Sequence, residues 1–143
     1  MQIRRAVAGD LEEIAAADSV ARTDPARVAF LRAAIGADDA LVAVASGSIV
    51  GYAVLDHSFY GNAFLSLLVV RADARRKGCG TALLRAAEAR ARTPKIFTST
   101  NESNAAMQAL LASAGYQRSG VIENLDVDDR ELVYVRFLDD DAA

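Results

Sequence analysis

The amino-acid sequence predicts an α/β fold with a mixed, mostly antiparallel central sheet and helices on both faces. Three observations carry that expectation. Seven apolar runs have strand character, and four segments place their apolar residues at helical spacing. The early strands are joined by short turns and are therefore antiparallel. Late in the chain a helical segment separates two strands, and such a crossover requires them to run parallel.

"QIRRAV" is the first strand. "GDLEEIAAAD" follows as a helix, with Leu11, Ile14 and Ala15 on one face. "TDPARVAFLRAAIGA" is a second helix: Thr23 or Asp24 can cap it, Pro25 suits its first turn, and Gly36 suits its end. "ALVAVASGSIVGYAVLD" gives two strands around Ser46-Gly47, a hairpin signal. "AFLSLLVV" is almost continuously apolar and is expected to be buried on both faces. "TALLRAAEARAR", residues 81 to 92, is a helix with Leu83, Leu84 and Ala87 inward and Glu88 placed to pair with Arg92. "KIFTST" is a strand, "NAAMQALLASAG" is a helix stopped by Gly115, and "YQRSGVI" and "ELVYVRFL" are the closing strands. Residues 1–143 are expected to form one domain, with 139–143, "DDDAA", as a solvated acidic tail.

Composition excludes several classes. An apolar fraction of 52% argues against disorder. No apolar run reaches the roughly 18 residues that a membrane helix needs, and the N-terminal "MQIRRAVAGDLEEI" has acidic residues where a signal peptide has its apolar core. A single cysteine rules out an internal disulfide framework. A cytoplasmic protein is expected. The net charge of -3 argues against a nucleic-acid partner. Acidic residues concentrate after position 120, and the one dense basic cluster is Arg71, Arg75, Arg76 and Lys77.

That cluster opens the most informative stretch, "ADARRKGCGTALL", residues 72 to 84. A strand ends at Val70 and a helix begins near Gly80 or Thr81. The first amides of a helix have no partner within it, and the helix dipole adds partial positive charge there. Gly78 and Gly80 allow close approach to the backbone, and Arg75, Arg76 and Lys77 add full charge. These are the ingredients of a diphosphate site, although a charged loop with turn glycines has the same composition. The nucleotide P-loop pattern is absent, and Leu83 stands where the dinucleotide fingerprint needs its third glycine. Cys79 has two readings: flanking cations and a helix start can lower its pKa, or it can turn inward as a small apolar group.

Arg75-x-x-Gly78-x-Gly80 after "LLVV" resembles the acetyl-CoA signature of the GNAT superfamily of N-acetyltransferases. "NAAMQALLASAGY", from Asn104 to Tyr116, resembles the later block of that family, with Gly115 and Tyr116 in place. The element order agrees across nearly the whole chain. The resemblance implies a sheet splayed at the cofactor cleft and acetyl-CoA as cosubstrate, with no metal. It implies that the backbone of Leu68, Val69 and Val70 holds the pantetheine arm and that the amides of Arg76, Lys77, Gly78, Cys79, Gly80 and Thr81 hold the pyrophosphate. The amide near Leu68 would polarise the thioester carbonyl. Asn104 would lie close to the cofactor, and it or Ser103 can equally be a helix N-cap.

The implied reaction is direct attack of a neutral amine on acetyl-CoA, with two proton transfers. The sequence departs from the family at both. Leu111 stands where a tyrosine often acts as general acid, and Ser66 stands near the usual acidic residue. Ser66 can order a water or be a small residue at a strand bulge. His57, the only histidine, and Tyr60 are further candidates, or simply exposed loop residues. Glu123 and Asp126 can attract a cationic acceptor, a small molecule or a peptide amine, or form a solvated turn. Three function classes follow: an N-acetyltransferase, a non-catalytic acyl-CoA sensor on the same fold, and an unrelated nucleotide-binding domain. Neither a membrane nor a nucleic acid is an expected partner, and the open sheet edges leave room for a homodimer.

Overall fold

The computed structural model describes residues 1–138; the expected acidic tail, 139–143, lies outside the described residues. The elements come in the expected order: β1 (Gln2–Arg5), α1 (Leu11–Ala17), α2 (Pro25–Gly36), β2 (Ala40–Ala45), β3 (Ser48–Phe59), β4 (Asn62–Val70), α3 (Cys79–Arg90), β5 (Lys95–Asn101), α4 (Ala105–Ser113), β6 (Gln117–Asp126) and β7 (Asp129–Phe137). They make a mixed α/β fold. The residues group into two compact units. The first holds Met1–Leu55 and Leu67–Arg90, and the second holds Asp56–Ser66 and the chain from Ala91.

In the first unit β1, β2 and β3 are antiparallel, with Ile3 opposite Ala43 and Ala43 opposite Gly51. Ser46 and Gly47 both take positive φ, 51° and 77°, the geometry of a two-residue hairpin turn whose twist suits the flanking strands. Past the turn Val44 faces Ile49, so Val50 is an extra residue, a β-bulge. Val42, Tyr52 and Val54 project to one face and pack with Ile14 of α1 and Leu31 and Ala34 of α2. Gly51 projects to the opposite face, toward Cys79 and Leu83 of α3. Helices therefore lie on both faces, as the apolar pattern requires.

α2 starts where the sequence indicates. The Asp24 carboxylate accepts from the Ala26 amide at 3.0 Å, and Pro25 occupies the first turn. α3 begins at Cys79 and ends at Arg90, two residues earlier at each end than the helical spacing suggests. Glu88 accordingly pairs with Arg85 at 3.0 Å and not with Arg92, which lies beyond the helix.

In the second unit β4 and β5 are parallel over Ala63–Leu65 and Ile96–Thr98. β7 pairs antiparallel with β5 on one side and with β6 on the other. Tyr60 and Gly61 form a second positive-φ hairpin turn. α4 ends in a Schellman motif: Tyr116 N–H donates to Leu111 O at 2.9 Å, and Gly115 N–H donates to Ala112 O at 3.2 Å. Gly115 has φ 92°, which explains the glycine.

β4 corrects one expectation. Only Ala63 and Leu65 are buried, whereas Leu67, Leu68, Val69 and Val70 are all half-buried. Leu67 and Val69 pack toward α1 and α2. Leu68 and Val70 alternate to the other side, so a continuously apolar strand is only partly covered.

Of the two buried carboxylates in the first unit, Asp10 and Asp18, Asp18 is the deeper. Asp18 and Tyr52 are 2% and 0% exposed. The Tyr52 hydroxyl donates to Asp18 Oδ2 at 2.6 Å, Arg27 Nη1 donates to the same oxygen at 2.7 Å, and Val20 N–H donates to Oδ1 at 2.9 Å. Burial, and then the Asp18 carboxylate, push the Tyr52 hydroxyl pKa well up, so it stays a donor. Tyr52→Phe deletes that donor while keeping the ring, and should cost about 1–3 kcal/mol. A fall in the urea midpoint at unchanged m-value checks this; a change below about 0.5 kcal/mol would show that the hydroxyl is dispensable.

Near the N-terminus Arg4 donates to both Asp10 oxygens, at 2.8 and 3.1 Å, and Val7 N–H donates to Oδ2 at 2.8 Å. The Arg4 hydrogen bond holds the Asp10 carboxyl below its ordinary value, against the opposing effect of burial. A depressed carboxyl contributes stability above its unfolded pKa, near 4, and loses that contribution as pH falls through the folded value. Arg4→Met should therefore be less stable than the parent at pH 7, and the gap should close below about pH 4. A gap that stays constant with pH in parallel denaturation curves would contradict the pairing.

Candidate functional site

The loop from Arg71 to Gly78 lies wholly in the first unit, between the half-covered end of β4 and the start of α3. The first helical bond of α3 runs from Ala82 N–H to Gly78 O at 3.0 Å. Gly78 is therefore the residue flanking the helix. The amides of Cys79, Gly80 and Thr81 fall within its first turn, where helix geometry supplies no acceptor. Arg76 and Gly78 both adopt positive φ, 63° and 84°. For a non-glycine residue such as Arg76 that conformation is uncommon and is held only by its surroundings. A Cβ at Gly78 would meet nothing within 4 Å, so the face of the loop is open.

The side chains of the basic cluster divide. Arg76 and Lys77 are exposed beside the helix start. Arg75 turns back, and its Nε donates to Val70 O at 3.2 Å, closing off the last carbonyl of β4. Arg71 Nε donates to Asp73 at 2.5 Å and its Nη1 to Ile49 O at 3.4 Å. Two of the four cations are thus engaged with the protein, and two are free of such bonds among the described residues. Open amides, a helix dipole and two exposed cations give this face of the loop a positive potential.

Cys79 is 3% exposed, and burial pushes its thiol pKa up. The side chain turns inward as a small apolar group, and desolvation disfavours its thiolate. Its amide remains part of the helix start. Native Cys79 should resist alkylation by a thiol reagent at pH 7 and react only on unfolding. Labelling of the folded protein at the rate of a free thiol would overturn this placement.

The remaining candidates lie in the second unit. His57 Nε2 accepts from the Arg92 amide at 3.0 Å, so one ring nitrogen is committed to closing the turn after α3. Tyr60 is 90% exposed in its hairpin turn, edge-on to Phe59. Ser66 is half-buried on β4, next to Leu65, whose carbonyl accepts the Thr98 hydroxyl at 2.8 Å. Asn104, not Ser103, caps α4: its Oδ1 accepts from Met107 N–H at 3.1 Å. Ser103 instead donates to Asp129 at 2.6 Å. Leu111 is fully buried. β6 extends past Ile122 as far as Asp126, so Glu123 and Asp126 belong to a hairpin arm and not to a separate turn. Glu123 lies 3.6 Å from Arg130, and Asp126 accepts from Asn101 at 2.8 Å.

Sequence reasoning missed Gly51, Arg71 as a loop anchor, and the Asp18–Tyr52–Arg27 network. Each depends on contacts between residues distant in the chain, and none sits in a short motif. Among the described residues no group of three or more His, Cys, Asp or Glu could hold a metal ion, and no helix is long and apolar enough to cross a membrane.

The element order and the glycine loop at the head of α3 are those of an acetyltransferase domain. The chain belongs to the acetyltransferase (GNAT) family, whose model matches residues 9–116. A GNAT-family acetyltransferase from Bacillus cereus ATCC 10987 is 32% identical over 95% of this chain and 96% of its own, with a TM-score of 0.89. The ribosomal-protein-S18-alanine N-acetyltransferase from Escherichia coli shares the fold at 20% identity, covering 96% of this chain and 93% of its own, with a TM-score of 0.76. A Bacillus anthracis protein assigned as a streptothricin acetyltransferase, solved in complex with acetyl coenzyme A, aligns with 68% of this chain and 61% of its own at 20% identity and a TM-score of 0.63. No curated protein sequence matches the chain.

Proposed function

We propose that the protein transfers an acetyl group from acetyl-CoA to a primary amine. The observation that carries this reading is the Arg75–Thr81 loop. Its open amides and the free cations Arg76 and Lys77 suit the pyrophosphate of coenzyme A. The half-covered apolar strand Leu67–Val70 leads directly into it and suits the pantetheine arm. A solved structure that shares the fold carries acetyl coenzyme A.

In this reading acetyl-CoA supplies an activated acyl group as a thioester. The backbone of Leu68, Val69 and Val70 holds the arm, and the Leu68 N–H polarises the carbonyl. The amides of Arg76, Lys77, Gly78, Cys79, Gly80 and Thr81 hold the diphosphate. The amine nitrogen, in its neutral form, attacks the carbonyl carbon; the N–C bond forms and the C–S bond breaks. The nitrogen loses one proton and the thiolate sulfur takes one up, giving an amide and free CoA thiol. Ser66 is the preferred group for ordering a water that takes the proton. His57 is less suited, because Nε2 already accepts from Arg92. Tyr60 is fully open to water and has no orienting partner for its hydroxyl among the described residues. Asn104 keeps a place near the cofactor alongside its capping role. Glu123 and Asp126 give the β6–β7 hairpin a negative rim that suits a cationic acceptor. The relative acting on ribosomal-protein alanine makes a peptide amine a reasonable acceptor class.

A second reading, a non-catalytic acyl-CoA sensor, draws on Leu111: the position of the expected general acid holds a buried side chain with no proton to give. Turnover separates the two. Thiol release from acetyl-CoA that depends on an added amine marks an enzyme, and binding without release marks a sensor.

Calorimetry with acetyl-CoA, and with ATP as control, tests the shared premise. Selective binding of acetyl-CoA, in roughly the micromolar to millimolar range usual for substrates, is expected. Gly80→Glu sets a carboxylate against the diphosphate and should abolish the heat of binding while far-UV circular dichroism stays the same. Normal binding by that variant would remove the cradle from the loop.

A further inference from the structure

We infer that the β3 bulge, Ile49–Gly51, positions the cofactor cradle, and that Gly51 and Arg71 are its positioning residues. The inference rests on reading Arg76–Thr81 as a diphosphate site. Neither residue needs to touch the ligand; both set where the amides stand.

The bulge holds both ends of the loop. At the start, Arg71 N–H donates to Val50 O at 2.7 Å, and the Arg71 guanidinium donates to Ile49 O at 3.4 Å. Val50 is the bulge residue without a partner on β2. At the far end, the first turn of α3 rests on Gly51. A Cβ there would stand 2.9 Å from Val69 O, 3.1 Å from Cys79 Sγ and 3.2 Å from Leu83 Cδ1. The nearest of these is a backbone atom, so no rotamer change makes room; β4 or α3 must shift. The bulge is itself fixed from behind, where Ile49 N–H donates to Glu13 Oε2 of α1 at 2.7 Å.

The loop between these anchors is short of other supports. Arg75, Arg76, Lys77 and Gly78 are exposed, and only Ala74 is buried between Arg71 and Cys79. Positive φ at Arg76 and Gly78 aims the amides, and that conformation persists only if the two ends are set. A binding surface made of backbone N–H groups cannot adapt by rotating side chains. Its affinity therefore depends on the placement of the helix start, where displacements near 1 Å are costly.

Two variants test this, each compared with the parent for acetyl-CoA binding by calorimetry and for steady-state kinetics. Gly51→Ala should weaken acetyl-CoA binding by about tenfold or more and raise its KM, with kcat and the acceptor KM within about twofold. Adding Cys79→Ala to that variant should recover part of the loss, because it removes one of the crowded atoms. Arg71→Lys keeps the charge but loses the planar fork that spans Asp73 and Ile49 O. It should weaken binding severalfold with the salt dependence unchanged. Arg71 is partly exposed, so this variant folds even if Gly51→Ala does not, and then decides alone. If the parent binds acetyl-CoA and the folded variants bind within about twofold of it, the bulge is not a positioning element and the cradle reading survives. If the parent itself fails to bind acetyl-CoA, the cradle reading falls and this inference falls with it.

Discussion

The first turn of α3 can rest on the first unit's strands only because β3 carries no side chain at Gly51. Cys79 Sγ and Leu83 Cδ1 lie just over 3 Å from where a Cβ would stand. This close approach fixes the height of the helix start, and several other features follow from it. Cys79 must be small and is driven into an apolar contact, where burial raises its thiol pKa and disfavours the thiolate. Gly78 must turn the chain into the helix at φ 84°. The amides of Cys79, Gly80 and Thr81 are then left at the surface with the helix dipole behind them. One missing side chain on a buried strand thus decides the chemistry of a surface loop.

The bulge beside Gly51 has a cause in the same strand. β3 must present Val54 and Tyr52 to α1 and α2 and yet turn Gly51 toward α3. Strict alternation achieves both. The extra residue, Val50, then brings Ile49 back to the α1–α2 face two residues before Gly51, where it joins the core. Tyr52 on that face carries its hydroxyl into the apolar layer, where Asp18 and Arg27 satisfy it. A buried pair of opposite charges stabilises little by itself, but each member here is hydrogen-bonded, which is what burial requires. The network ties the start of α2 to the middle of β3, the strand that also holds the loop.

Much of this was legible in the sequence. Element order, the hairpin at Ser46-Gly47, the Asp24 cap and the stop at Gly115 all follow from local rules, because each is decided by neighbours within a few residues. The family resemblance rested on two blocks, and they are legible for different physical reasons. Arg75-x-x-Gly78-x-Gly80 is a pattern of chemistry: charge and bare backbone before a helix. Asn104 to Tyr116 is a pattern of helix ends: an N-cap at one end and a Schellman turn at the other. Tyr116 and Leu111 are the hydrophobic pair of that turn, which is why both are buried. The half-exposure of Leu68 and Val70 was not legible, since an apolar strand gives no sign of lacking a cover. Gly51 looked like any strand glycine, and only the approach of α3 gives it meaning.

The donor and acceptor sides of the proposed reaction differ in kind. The loop in the first unit offers main-chain groups, whose identity is independent of side chains, so motif and fold suffice to define them. On the β6–β7 hairpin of the second unit Glu123, Asp126, Asp129 and Arg130 are already paired. Glu102 and Glu123 approach Arg130 at 2.7 and 3.6 Å, Asp126 accepts from Asn101, and Asp129 accepts from Ser103. Arg130 bridges two carboxylates, and its hydrogen bond to Glu102 holds that carboxyl below its ordinary value. A cationic acceptor drawn to this rim would have to compete with Arg130 for the same oxygens. These pairs are exposed, so each contributes little and yields to a better-placed cation or to salt. If acceptors bind here as proposed, charge alone selects poorly among cationic amines, and shape must supply the discrimination that charge does not.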